Sequence, residues 1–201
     1  MDARDFFLLQ HARLHAAGIS GAADVSFQDG LCEGLSAAQL VERPGGMNSI
    51  AWLLWHITRF EDVVVNTVLR GAGEVLDGDD WLARLRLTSR LVGTGSGDDE
   101  VAVFGAAVAP EAVLAYRAAV GRATRAWVAG AADAALAAVP DVAARLARAP
   151  RALDERAAWV AALWANKTGY ALLSLPILDH GHLHLGEARV TKAHLRRDPA
   201  P

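Results

Sequence analysis

The sequence predicts an all-α fold, a four-helix bundle with one long crossover connection. Three observations predict it. Helical spacing of apolar residues recurs in four long segments, helix-start residues stand where segments open, and alanine is abundant while aromatic residues make up only 6%. With 201 residues, 53% of them hydrophobic, the chain can fill a substantial core and reads as a single domain over 1–201.

The first helix is expected over 3–17 and carries His11 and His15 four apart, read as surface or interhelix histidines. The second opens after Pro44-Gly45-Gly46, with Asn48 or Ser49 as N-cap, and runs to Arg70 before Gly71. Its apolar residues, including Trp52, Leu53, Phe60 and Val63 around His56, cover more than one face and place it in the core. The third starts at Pro110-Glu111, a proline suited to the first turn and a carboxylate at the positive dipole end. Val113, Tyr116, Val120, Thr124 and Trp127 follow at helical spacing. The fourth spans 167–195 and holds Pro176, Gly181 and Gly186 in its interior. Proline there costs about 3 kcal/mol and glycine about 1, so a kink or a close approach is expected, with the glycines leaving space beside the histidines. The alternative is that Pro176 starts the helix and 167–175 is a separate turn.

The connectors are uneven. The crossover over 71–109 contains Gly93-Thr94-Gly95-Ser96-Gly97, which is no phosphate loop, because no Lys-Ser or Lys-Thr follows and no strand precedes it. An elaborated connector over 131–166 is rich in alanine and arginine, with a short helix expected at 154–166. A bundle with such a crossover is not simply up-down-up-down.

The chemistry concentrates in Asp179-His180-Gly181-His182-Leu183-His184-Leu185-Gly186-Glu187. A helix turns about 100° per residue, so His180 and His184 share a face with Glu187, and His182 points the opposite way. Two stacked imidazoles form half of a divalent-metal site. The third ligand is assigned to His56, alone in the apolar run Ile50-Ala51-Trp52-Leu53-Leu54-Trp55-His56-Ile57, where an unpartnered imidazole is costly to bury. The competing reading is three hydrogen-bonded core histidines. Three neutral histidines on zinc or nickel leave an open position, as catalytic sites do. That position can activate a bound water, giving a small hydrolase, or hold a thiol as its thiolate. Glu187 is the candidate catalytic residue, as general base or as orienter of a ligand histidine.

Other classes are excluded or disfavoured. A net charge of -3, from 20 basic and 23 acidic residues intermixed, gives no footprint for nucleic acid. Cys32 is the sole cysteine, which rules out an intrachain disulfide and suits a reducing cytoplasm. Met1-Asp2-Ala3-Arg4-Asp5 is acidic, the Phe6-Phe7-Leu8-Leu9 run is short, and no stretch approaches the roughly 18 apolar residues of a membrane span. A soluble cytoplasmic protein without a membrane partner is expected.

Several stretches resemble the DinB-like superfamily, which includes bacterial thiol S-transferases and the N-terminal domain of mycothiol-dependent maleylpyruvate isomerase. The resemblance lies in Ser49 through Ile57 with Glu61 and Asp62 following, in Trp81-Leu82-Ala83-Arg84-Leu85, in Gly95-Ser96-Gly97, in Pro110 through Val120, and in His180 through Glu187. It runs in order over 31–195. It implies an up-down-down-up bundle whose metal triad falls on His56, His180 and His184. It also implies a low-molecular-weight thiol such as mycothiol or bacillithiol acting on a small-molecule electrophile. Glutamine is usual in the family where this chain has Glu187. A non-catalytic metal-binding or dimerising bundle is the remaining alternative. A homodimer is expected, from the family's tendency to pair and from Leu175, Leu178 and Leu185 facing away from the histidines. A segment carrying Trp159 and Trp164 would otherwise cover that face.

Overall fold

The computed structural model describes residues 1–21, 25–148 and 152–195, and these are all-helical. The first long helix, α1, spans Ala3–Leu14 and is capped by Asp2, whose carboxylate accepts from the Asp5 amide. It stops short of the expected end because His15 is extended, with φ -103° and ψ 168°. The Ser26 hydroxyl donates to the His15 carbonyl at 2.8 Å, which fixes that turn.

The second helix, α2, begins at Ile50 with Ser49 as its cap, the hydroxyl accepting from the Trp52 amide at 3.2 Å. It runs over Ile50–Asp62 and continues with π winding over Val63–Arg70, ending at Gly71 in the left-handed conformation, φ 65°. Every residue over 50–68 is buried, as its all-round apolar pattern requires. The third helix, α3, spans Pro110–Gly130 with the proline at its first position. The fourth, α4, has three consecutive parts: Gly169–Leu173 capped by Thr168, the π-wound Ser174–Asp179, and His180–Leu195. The helix therefore passes through Pro176 instead of starting there. The wide π turn accommodates the residue that has no N–H to give.

α2 packs on α3 and α4, and α1 packs on the same two helices. Arg125 donates to the Leu8 carbonyl at 2.7 Å and Arg117 to the Leu14 carbonyl at 3.0 Å, which sets α1 antiparallel to α3. Thr191 donates to the Asn48 carbonyl while His180 meets His56, so α2 and α4 are also antiparallel. This last pairing brings the histidines together.

The connectors hold more helix than their composition suggests. The crossover contains Trp81–Leu85 and Asp98–Ala107, the latter with three acids in its first turn and Glu100 accepting from the Gly97 amide. The short helix expected at 154–166 is present as Glu155–Ala157 followed by Ala158–Trp164.

Two expectations about α4 need correction. Leu178 and Leu185 do not form an exposed outer face; they are 5% and 3% exposed within one copy of the chain. The short helix Phe27–Cys32 packs over His180–Leu195, with Lys192 donating to the Gly30 and Glu33 carbonyls. Leu175 alone of the three leucines is exposed. Nor do the glycines make room for the imidazoles. A Cβ on Gly181 would lie 3.1 Å from Leu14, so that glycine allows close packing of α1, and Gly186 faces open space. No single helix among the described residues is long and apolar enough to cross a membrane.

Candidate metal centre

His56, His180 and His184 converge, with one ring nitrogen of each lying within 4.8 Å of the others. His56 Nε2 and His180 Nε2 are 3.2 Å apart. The His180 and His184 ring centroids are 4.5 Å apart and both lie 4.9 Å from that of His56. His182 points elsewhere and meets Phe27 edge-on at 5.6 Å.

Two of the three tautomers are set by their partners. His56 Nδ1 lies 2.5 Å from the Val92 carbonyl. A carbonyl only accepts, so Nδ1 carries the proton and Nε2 presents a bare lone pair to the centre. His184 Nδ1 lies 2.7 Å from Glu187 Oε2, and by the same logic its Nε2 is a free lone pair. Glu187 is held in turn by Asn48, whose amide donates to Oε1 at 2.9 Å. Burial pushes His56 down to about 4 and His180 down to about 3, the latter with help from its histidine neighbours, so both rings are neutral at pH 7. Neutral lone pairs directed at one point are what a divalent transition metal needs; the third ring, His180, turns Nε2 to the centre and has Nδ1 buried without a partner among the described residues.

The loop that supplies the Val92 carbonyl is itself anchored. Arg59, fully buried on α2, donates to the Arg90 carbonyl at 2.9 Å and to Glu74 at 2.8 Å. The Val92 amide donates to the Ala152 carbonyl at 3.0 Å. Gly93, at φ 90°, lets the loop close on the site, since a Cβ there would sit 3.1 Å from Trp52 and 3.5 Å from His56.

A cavity of about 500 Å³ opens over the three histidines. Trp52, Phe60, Trp159, Leu163 and Trp164 provide much of its wall, and neither Asp nor Glu is among the described residues lining it. Glu187 is not among those residues, and both its carboxylate oxygens are engaged, one by Asn48 and one by His184.

A second cluster forms around His11 and His15, for which the interhelix placement holds and the surface placement does not. Both are fully buried, stacked at 4.3 Å, and each directs Nε2 at one oxygen of Glu61 at 2.8 Å. These ligand atoms also meet the distance criterion for a metal. Two features favour the triad over this cluster. Both Nδ1 atoms of the pair are buried without a hydrogen-bond partner among the described residues, whereas two of the three triad rings are held through that second nitrogen, as ligand histidines normally are. Arg117 also lies fully buried nearby, and its field, together with burial, pushes His15 down to about 3. Burial alone would raise Glu61, but the two histidines outweigh it and hold the carboxyl well below its usual range. The cluster is best described as two stacked imidazoles clamped on a carboxylate that balances Arg117.

Asn48, Val92 and Trp164 complete the surroundings of the triad and were not singled out as site residues from the sequence. Asn48 had only the signal of an N-cap candidate, and the Val92 contribution is a backbone atom with no side-chain signature.

No curated protein matches the chain. A family model described as the DinB superfamily matches residues 28–166, more than half of the sequence; the match includes His56 and ends before α4, so the placement of His180 and His184 beside it rests on the geometry. The chain belongs to the DinB superfamily.

Proposed function

We propose that the protein is a metal-dependent thiol S-transferase, with zinc or nickel held by His56, His180 and His184. The observation that carries this reading is the combination of two outward lone pairs forced by Val92 and Glu187 with an organic-sized cavity that no carboxylate lines. A metal in such a site supplies Lewis acidity, which keeps a thiol of pKa about 8.5 as its thiolate at neutral pH. The protein's residues do the rest. Glu187 orients His184, Val92 orients His56, and the apolar wall excludes water from the reacting atoms. The thiol sulfur then attacks an electrophilic carbon, a C–S bond forms, the leaving group departs with its electron pair, and the thiol proton passes to solvent. Hydrolysis is less well supported, because a general base is wanted beside the attacking water and Glu187 is already occupied.

The test offers mycothiol, bacillithiol and glutathione with a panel of electrophiles to zinc- and nickel-loaded protein. Metal-dependent conjugation with at least one thiol is expected, with chelator abolishing it. Metal-dependent ester or amide hydrolysis without any thiol requirement would transfer the assignment to a hydrolase.

A further inference from the structure

The segment 154–167 adds no member to the four long helices, yet it forms one side of the cavity. Val160 and Trp164 anchor it, 1% and 2% exposed, with Trp164 edge-on to Phe60 at 5.6 Å. Trp159 and Leu163 also line the cavity but are 60% and 53% exposed, so they stand at its open side together with Leu175. Large apolar side chains kept at the entrance of a concave site are typical of ligand contact. Opposite them, Trp52 lies flat against His56, 4.9 Å between centroids and 9° between planes, which leaves a rigid aromatic wall next to the triad.

The polar content of the cavity is asymmetric. Lys167, at the end of the segment, is the one lysine, arginine or acidic residue among the described residues that line it. It makes no ion pair with any described residue, in contrast to Arg156 on the same segment, which pairs with Glu100 and Asp154. A lysine without an ion pair to any described residue, on a largely apolar wall with no carboxylate among its described residues, favours a ligand with a flat apolar body and one negative charge.

We infer that the segment 154–167 selects an apolar organic anion, an aromatic or aliphatic carboxylate or sulfonate, with Trp159 and Leu163 against its body and Lys167 at its charge. Calling that ligand the electrophilic substrate rests on the transferase reading above. The binding preference itself does not.

The test uses two fluorescent probes that differ in one group, anilinonaphthalene sulfonate and its uncharged counterpart N-phenylnaphthylamine. Both are titrated into chelator-treated protein, and again with zinc present. One-to-one binding is expected, with the sulfonate about ten- to a hundredfold tighter, the range a charge-assisted contact contributes. Lys167→Met should erase that preference while leaving the neutral probe unchanged. Trp159→Ala, at an exposed position that folding does not need, should weaken both probes. Equal affinity for the two probes would overturn the inference, as would a preference surviving Lys167→Met or binding indifferent to Trp159→Ala. The two readings fail separately. Protein that takes up no zinc yet keeps the anion preference contradicts the metal centre alone, and protein that binds zinc without the preference contradicts this inference alone.

Discussion

Replacing His184 with alanine is expected to weaken zinc binding more than a hundredfold. Structural zinc sites in small peptides have apparent binding energies of roughly 10–16 kcal/mol over four ligands, so one ligand is worth about 3 kcal/mol. His56→Ala and His180→Ala should behave alike, because one ring nitrogen of each of the three lies within 4.8 Å of the others. His182→Ala should not, since that ring packs on Phe27. Glu187→Ala keeps all three ligands but frees the His184 ring to turn, and the usual loss for such a supporting residue is about 10- to 100-fold. Glu187→Gln should lose less, because an amide oxygen still accepts from His184 Nδ1. Competition titration against a chromogenic chelator measures the whole series. Equal affinity across it would mean that zinc binds elsewhere.

The second large effect concerns stability. Glu61→Ala removes the acceptor of two buried imidazoles and the anion that balances buried Arg117. Breaking a buried pair from one side costs about 3–5 kcal/mol, a large part of the roughly 5–15 kcal/mol that holds a domain folded. Arg156→Ala, which removes only exposed ion pairs, should change the denaturation midpoint little. The same cluster sets a limit in acid. His15 binds its proton near pH 3 when folded and near 6.5 when unfolded, so between those values the unfolded state holds more protons. Stability is thus fully present above pH 6.5 and falls as pH drops, by about 1.4 kcal/mol per pH unit for each such histidine once the unfolded ring is charged. His56 and His180 add to the slope in metal-free protein, having the same sign. Urea denaturation of chelator-treated protein at a series of pH values measures it, and a flat profile from pH 7 to 5 would contradict the neutral burial of these rings.

Much of this was legible in local sequence. Ser49 and Pro110 are start signals with a mechanical reason, and both helices begin where they stand. His180 and His184 were legible because helical geometry alone stacks them, and His56 because an isolated polar ring in an apolar run demands a partner. What was hidden depends on long-range packing. His11 and His15 look like the C-terminal pair, and only Glu61, 46 and 50 residues away, shows their different role. The Val92 carbonyl comes from a loop 36 residues beyond His56 and leaves no side-chain trace. Leu185 read as part of an uncovered face because Phe27–Cys32, which packs on its helix, is too short to announce itself as a cover, and Leu178 because its segment packs on the distant α1. Gly181 read as space beside the histidines, while its actual neighbour, Leu14, is on another helix.

The central claim is that three neutral histidines hold a metal with a position left for a thiolate, and cobalt substitution tests it most directly. Cobalt-loaded protein titrated with mycothiol, bacillithiol or glutathione is expected to develop a sulfur-to-cobalt charge-transfer band in the near ultraviolet with at least one of them. The visible bands should keep the intensity of a four-coordinate centre. His184→Ala should show neither feature under the same conditions. Cobalt bound tightly by the wild type with a spectrum that none of the three thiols changes would contradict thiol activation, and a spectrum identical in His184→Ala would contradict the triad itself.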